Sequence, residues 1–170
     1  NEYFNERGKP LKTCSPYYSG GSEKCATPTY DPMDRATRVT YPDGNFMTTT
    51  YGLDVVTITD RLGRERSKWV DVFGRTTKLR EWIGGVAQDT TNLYDVRGRV
   101  TKMTDPKGND WTTTYSSLGL VQSNSDPDRG ATSYEYDTVG RVTAIQDVLG
   151  QRVELMYDAL GRRTKKVTKL

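Results

Sequence analysis

Tyrosines at a spacing of 21 residues are the feature that most constrains how this chain folds. The spacing occurs three times in succession near the C-terminus and once near the N-terminus, at Tyr94, Tyr115, Tyr136, Tyr157 and at Tyr30, Tyr51. Such a period indicates one structural unit used repeatedly, each copy burying its surface against its neighbours. With weaker copies included, eight units begin at Phe4, Tyr30, Tyr51, Val70, Tyr94, Tyr115, Tyr136 and Tyr157.

Each unit contains two turn signatures. The first follows the tyrosine and reads YDVRG, YDTVG or YDALG; its aspartate can bond its own backbone and its glycine can adopt a positive φ. An arginine follows the glycine, and a threonine often comes two residues later. The second signature reads DPKG, YPDG or DPDRG, with proline where a type I or II turn favours it. The glycine and arginine positions that define the first turn most clearly are Gly98, Arg99, Gly140, Arg141, Gly161 and Arg162.

The residues after the second turn alternate between two faces. Trp111, Thr113 and Tyr115 share one face, and Thr112 and Thr114 share the other. A period of two with polar neighbours predicts strands half-buried on one side. Val100 and Met103 are three apart, which predicts a β-bulge near the Gly-Arg pair. The fold class predicted is therefore all-β: an antiparallel hairpin meander of roughly fourteen short strands, with no helix longer than a turn or two.

Composition narrows the function classes. The chain has no histidine, which removes His-based triads and most zinc sites. A net charge of +3 does not indicate nucleic-acid binding, and no apolar run is long enough for a transmembrane helix. No nucleophile elbow or phosphate loop is present either, so the sequence predicts a protein that is not an enzyme and has no cofactor or metal.

Three residue groups are candidates for binding or cross-linking. Cys14 and Cys25 predict a disulfide if the protein is made in an oxidising compartment, and free thiols otherwise. Tyr17 and Tyr18 lie outside the repeat, between the cysteines, and are the better aromatic candidates for a ligand. Tryptophans are the third group, as platforms for stacking sugars: Trp69, Trp82 and Trp111.

The recurring acidic and basic residues favour structure over chemistry. Asp126 and Asp128 suggest calcium, but too few oxygen ligands surround them in sequence, so turn formation is favoured. The Asp and Arg of each first turn recur in every unit, which favours cross-strand hydrogen bonds and ion pairs over an acid–base pair. The repeated tyrosines are expected to pack on the apolar face of the strands.

The motif Y-D-x-x-G-R-x-T followed by D-P-x-G resembles the repeat of the Rhs/YD-repeat family. The resemblance is clearest in YDVRGRVTKMTDPKG and YDTVGRVTAIQDVLG, and it extends from about Tyr30 to the C-terminus. The family includes bacterial Rhs polymorphic toxins, the B and C components of insecticidal toxin complexes, wall-associated protein and teneurins. It implies a strip of a spiral β-shell, or cocoon, which in the toxins encloses a C-terminal effector. The self-cleaving core of the family, with its DPxGL signature, is not recognisable, because DPKGN and DPDRGA lack the leucine.

Two functions remain open after this resemblance. Residues 1–29 are expected to form a degenerate first repeat with a cysteine-containing insertion, and residues 30–170 the YD repeats, as a piece of a longer polypeptide. The first function is a structural segment of a secreted or surface-exported bacterial shell, whose partners are other repeats or subunits and the enclosed effector. The alternative is a cell-surface adhesion module that binds glycans or a partner protein.

Overall fold

The computed structural model describes residues 1–16 and 21–169, and every regular element among them is a β-strand. Sixteen strands are hydrogen-bonded in sequence order, each antiparallel to those whose pairing is described. The antiparallel meander predicted from the sequence is therefore confirmed. Sixteen strands exceed the roughly fourteen expected, because the degenerate unit at Phe4 also forms a complete hairpin.

The chain divides into two compact units, Asn1–Asp89 and Thr90–Leu170. The first unit holds eight strands: β1 Glu2–Phe4, β2 Pro10–Cys14, β3 Cys25–Tyr30, β4 Ala36–Thr40, β5 Phe46–Tyr51, β6 Val55–Thr59, β7 Glu65–Val70 and β8 Thr76–Ile83. The boundary falls within β9, Val86–Tyr94. The second unit continues with β10 Val100–Thr104, β11 Asp110–Tyr115, β12 Val121–Asp126, β13 Gly130–Tyr136, β14 Val142–Asp147, β15 Arg152–Tyr157 and β16 Arg163–Lys169.

A β-bulge follows the tyrosine turn, as the sequence predicts. Between β13 and β14, Glu135 pairs with Ala144 and Tyr136 pairs with Val142, so Thr143 has no partner opposite it. The same shift leaves a threonine without a partner opposite it in four other 21-residue repeats: Thr37, Thr77, Thr101 and Thr164. The threonine that recurs after each arginine is therefore the bulge residue, and the hydroxyl of Thr37 donates back to the Thr29 carbonyl at 3.3 Å.

The register places the apolar residues of the second unit on one face. Tyr134 is opposite Ile145, and Ile145 is opposite Val153, so the three side chains are neighbours across β13, β14 and β15. The reverse face of the same strands carries Glu135, Ala144 and Glu154. The alternation read from the sequence is thus preserved across neighbouring strands.

No second layer covers this sheet within the described residues. Only Cys14, Ser67 and Ala144 are buried there, and no large side chain is fully enclosed. The chain exposes 12170 Å² at a mass of 19.2 kDa. A compact monomer of this mass exposes about 8,400 Å², and two separate compact proteins of half the mass expose about 10,000 Å² together. The two units therefore leave more surface open than two ordinary domains, whatever their mutual arrangement.

Candidate functional site: the aspartate–glycine–arginine–tyrosine corner

The first turn of most repeats is built around one carboxylate, and the turn between β13 and β14 shows the arrangement. Asp137 Oδ1 accepts the backbone N–H groups of Val139 at 3.1 Å and Arg141 at 2.9 Å, and its Oδ2 accepts Arg141 Nε at 2.6 Å. The Gly140 N–H donates to the Asp137 carbonyl at 3.1 Å, with Gly140 at φ 84°. A positive φ is costly for residues with a Cβ, which is why glycine occupies this position.

The same set of bonds recurs at six aspartates. Each accepts two backbone N–H groups and the side chain of the arginine four residues on: Asp31, Asp60, Asp71, Asp95, Asp137 and Asp158. The expectation that these pairs cross between strands is wrong, because each lies inside a single turn. The turn brings the aspartate close to the arginine four residues later, so the two side chains bond within the turn.

These bonds favour the ionised carboxylate. The pKa of the Asp95 carboxyl lies below its usual range, chiefly because the Arg99 backbone N–H donates to the carboxylate. Desolvation opposes this with a smaller effect, and the Arg99 side chain lowers the pKa further. Ser116 and Leu120 replace Asp and Arg in one turn, where the Ser116 hydroxyl accepts the Leu120 N–H at 3.1 Å. The acidic and the basic residue of the turn are thus replaced together here.

The repeated tyrosine closes the corner from the following strand. Tyr157 donates its hydroxyl to the Val142 carbonyl at 2.8 Å, directly after the arginine of the preceding turn. Four other tyrosines make the equivalent bond, three of them at the same sequence offset: Tyr30 to Pro10, and Tyr51 to Ala36, Tyr115 to Val100, Tyr136 to Val121. Tyr94 ends β9 opposite Val100. The tyrosine is therefore a specific hydrogen-bond donor in addition to a packing residue.

Arginine links one turn to the next. The Arg141 guanidinium lies over the Tyr157 ring at 4.9 Å from its centroid, and Arg99 lies over Tyr115 at 4.1 Å. A Cβ built on Gly119 would lie 3.2 Å from Arg99 Nη1, so that glycine is also a contact surface for the arginine. We use the name corner for the aspartate, glycine and arginine of one turn with the tyrosine of the next first turn. Arg162, in the last turn, pairs with Asp158 at 2.7 Å.

The corner has the features of a structural element. The acceptors of its carboxylate are used by groups of the same turn, its guanidinium is bonded to the carboxylate, and its phenol is bonded to a carbonyl. Asp126, the calcium candidate, accepts the N–H groups of Asp128 at 2.8 Å and Arg129 at 3.2 Å, so it too serves a turn. We find no convergence of a free nucleophile and base among the described corners.

The two cysteines lie opposite each other at the junction of β2 and β3, with their sulfurs 2.06 Å apart. Glu23 lies beside them, and its ligand atom and the two sulfurs fall within 4.8 Å of one another. Sulfurs that bond each other do not ligate a metal, and Lys12 occupies the carboxylate at 2.6 Å. Lys12, followed by the Tyr3 hydroxyl, lowers the pKa of Glu23 to about 2. Tyr17 and Tyr18 lie outside the described residues.

Charged clamps on the polar face were missed by the sequence reasoning. Arg152 Nη1 and Nη2 bind both oxygens of Glu135 at 2.7 and 2.6 Å, although the two residues lie on strands separated by β14. Ala144 is 2% exposed and lies between Glu135 and Glu154 in register, so the clamp passes across it. In the first unit, Ser67 is 4% exposed next to Arg80, which binds Asp89 at 2.6 Å through two nitrogens. The small residues Ala144 and Ser67, each in the middle of a strand, were the sequence signal that could have indicated these clamps.

An open groove of about 370 Å³ lies in the first unit, at the ends of β7 and β8. Its apolar wall includes Trp82, which is 41% exposed, with Ile58 and Ile83. Its polar wall includes the ion pair of Arg66 and Glu81. Of the other tryptophans, Trp69 lies under the Lys78 ammonium at 3.8 Å, and Trp111 is half-buried opposite Met103. Trp82 is therefore the tryptophan best placed to meet a ligand.

Comparisons with known proteins agree with this geometry. The RHS Repeat family model matches residues 94–131, 115–152 and 136–169, at steps of one 21-residue unit. The crystal structure of TcdB2-TccC3-TEV matches with a TM-score of 0.77 and 16% identity over 99% of this chain. TcdB2-TccC3-Cdc42 gives 0.76 and 16%, and TcdB2-TccC3 gives 0.75 and 17%. The chain spans about a tenth of each of these structures. No curated protein matches it.

Proposed function

Residues 94–169 are repeats of the Rhs/YD-repeat family, and from that premise we propose that the chain is a non-catalytic structural segment of a secreted or surface-exported shell that encloses a toxin, an effector or another cargo. In this proposal residues 1–29 are a degenerate first repeat, and residues 30–170 are the repeats of the wall. Its partners are other repeats or subunits of the shell and the enclosed C-terminal effector, and the protein acts outside a bacterial cell.

The observation that carries the proposal is the absence of a covering layer in the described part of the chain. Domains bury an apolar face by packing two or more layers together. Here clamps such as Arg152 with Glu135 cross the polar face, and among the described residues no second layer covers the half-buried apolar face. A single sheet with one polar and one apolar face is suited to a wall that separates a lumen from solvent. Among the described residues, none forms a helix long and apolar enough to span a membrane.

The experiment uses the complete protein that contains this chain. Electron cryo-microscopy is expected to show a hollow particle whose wall is one sheet thick. Limited proteolysis is expected to leave the enclosed region intact until the shell is unfolded. A particle with no lumen, or a cargo region cleaved as fast as in a variant lacking the repeats, would refute the proposal.

The Trp82 groove favours a second candidate function, a cell-surface adhesion module that binds glycans or a partner protein. An exposed indole beside carboxylates and arginines can stack on a sugar ring while its neighbours bond the hydroxyls. Glycan-array binding that is lost in Trp82→Ala and retained in Trp69→Ala would support adhesion. The second variant is the control, because Trp69 is already covered by Lys78.

A further inference from the structure

The two cysteines and Glu23 form a cluster at the junction of β2 and β3. Cys14 ends β2 and Cys25 begins β3, directly opposite each other in register. The Oε2 atom of Glu23 lies 3.8 Å from Cys14 Sγ and 3.7 Å from Cys25 Sγ. Cys14 is 5% exposed, and the other two side chains are half-buried. Three atoms of the kinds that bind zinc thus converge at one partly enclosed place.

The distances in this cluster are close to those of a tetrahedral zinc site. With Zn–S bonds of about 2.3 Å and a Zn–O bond of about 2.0 Å, a sulfur and an oxygen ligand lie about 3.5 Å apart and two sulfurs about 3.8 Å apart. The two sulfur–oxygen distances are already near this value. Only the two sulfurs have to separate, and reduction of the disulfide to two thiols permits this. Opposite residues of antiparallel strands have Cβ atoms about 4.5–5.5 Å apart, so the register accommodates the separation.

The surroundings of Glu23 suit a cation bound beside the sulfurs. Its Oε1 atom accepts the Tyr3 hydroxyl at 2.8 Å, which orients the carboxylate as an outer hydrogen bond does in metal sites. Lys12 donates to Oε2 at 2.6 Å, and a metal ion would take this oxygen from it. Two thiolates, one carboxylate and one divalent cation leave a single negative charge. The Lys12 ammonium, displaced but still nearby, would balance that charge.

We propose that, once the disulfide is reduced, Cys14, Cys25 and Glu23 bind one Zn²⁺ ion, with water as the fourth ligand. In the described part of the chain, no further cysteine or carboxylate belongs to the cluster. A dithiol reductant supplies two electrons and two protons to the disulfide, and the two thiols release two protons when they bind zinc. In the reverse direction, oxidised glutathione takes two electrons from the zinc-bound thiolates and leaves as two thiolates, while the disulfide forms again and Zn²⁺ is released.

The junction of β2 and β3 is then closed in both redox states. A reducing compartment closes it with zinc, and an oxidising compartment closes it with the disulfide. The inference rests on three side chains of the first unit and stands whether or not the chain belongs to a shell that encloses a cargo.

Cobalt titration of residues 1–170 tests the site, because Co²⁺ occupies zinc sites and absorbs visible light. The chain is reduced with a phosphine and freed of it without air. It is then expected to bind one Co²⁺ with thiolate-to-metal charge-transfer absorption and tetrahedral d–d bands, which Zn²⁺ abolishes. The oxidised chain is expected to show neither signal.

Two variants and a control assign the ligands. Cys25→Ser is expected to lose the cobalt spectrum of the reduced chain. Glu23→Gln is expected to keep the charge-transfer band, because both thiolates remain, and to bind on the order of ten-fold more weakly or worse. Glu6→Gln, in the exposed turn between β1 and β2, is the matched control and is expected to bind as the unchanged chain does. Circular dichroism verifies that each variant is folded.

A second measurement needs no variant and covers the case in which one does not fold. Zn²⁺ is expected to slow the alkylation of both cysteines of the reduced chain by iodoacetamide, followed by mass, whereas Mg²⁺ is expected to leave the rate unchanged. Addition of oxidised glutathione is expected to release the zinc to a chromogenic chelator. The proposal is overturned by a reduced chain without a charge-transfer band, by equal affinity in Glu23→Gln and the unchanged chain, or by equal alkylation with Zn²⁺ and Mg²⁺.

Discussion

Replacing Tyr136 with phenylalanine is the most direct test of the corner. The Tyr136 hydroxyl donates to the Val121 carbonyl at 2.8 Å, in a half-buried setting. The substitution removes this one donor and keeps the ring and its packing. The bond joins β13 to the residue that begins β12, so its loss acts on the connection between consecutive units.

The expected cost follows from the type of bond. A neutral intramolecular hydrogen bond contributes about 0.5–1.5 kcal/mol net, because water replaces part of what is lost. We expect Tyr136→Phe to lower the free energy of unfolding by about 1 kcal/mol. For a cooperative unit of about 80 residues this corresponds to a melting temperature lower by roughly 4–8 °C.

Tyr134 supplies the matched control on the same strand and face. Its hydroxyl accepts the Asn124 amide N–H at 3.4 Å, in an exposed position, and donates to no backbone carbonyl among the described residues. Urea denaturation followed by circular dichroism, at a concentration where the chain is monomeric, should show Tyr134→Phe within about 0.5 kcal/mol of the unchanged chain. Equal costs for the two variants would refute the reasoning, because the hydroxyl bond would then not distinguish the corner tyrosine.

Four further predictions follow from the turns, the clamps and the cysteines. Asp34 occupies a glycine position at φ 60°, so Asp34→Gly should raise the unfolding free energy by about 0.5–1 kcal/mol and Asp34→Ala should lower it; the opposite order in urea melts would contradict this. The corner carboxyls have lowered pKa values when folded, so their stabilisation is present above about pH 4 and lost as pH falls below it; unchanged urea midpoints between pH 6 and 3 would count against the corners. Ala144→Leu should cost about 1–3 kcal/mol under the Arg152 clamp, whereas exposed Ala131→Leu should be nearly neutral. Cys14 and Cys25 should be paired in protein made in an oxidising compartment, and two free thiols found there by mass measurement before reduction would exclude this.

The features that are local in sequence were predictable. An aspartate, a glycine and an arginine within five residues determine the turn, and the bulge is visible in the three-residue step from Val100 to Met103. Features that depend on register were not. Glu135 and Arg152 are seventeen residues apart and meet only because β14 is shifted by the unpaired Thr143. The tyrosine hydroxyl also depends on register, because its acceptor is a backbone carbonyl that any residue supplies.

The direction of the arginine contacts has a consequence for how such chains change during evolution. A Cβ built on Gly119 would meet Arg99 at 3.2 Å, and one built on Gly161 would meet Arg141 at 3.5 Å. The two guanidinium groups lie over the rings of Tyr115 and Tyr157. Each of these contacts reaches the next 21-residue repeat and no further. Removal or duplication of one whole period therefore leaves every remaining corner with an equivalent neighbour, whereas a gain or loss of a few residues shifts the bulge and separates the tyrosine from its carbonyl. Unequal recombination between copies of the repeat in the gene is thus a route by which the strip lengthens or shortens by whole periods and keeps its corner bonds, whereas a contact between two repeats such as Glu135 with Arg152 is lost with either repeat.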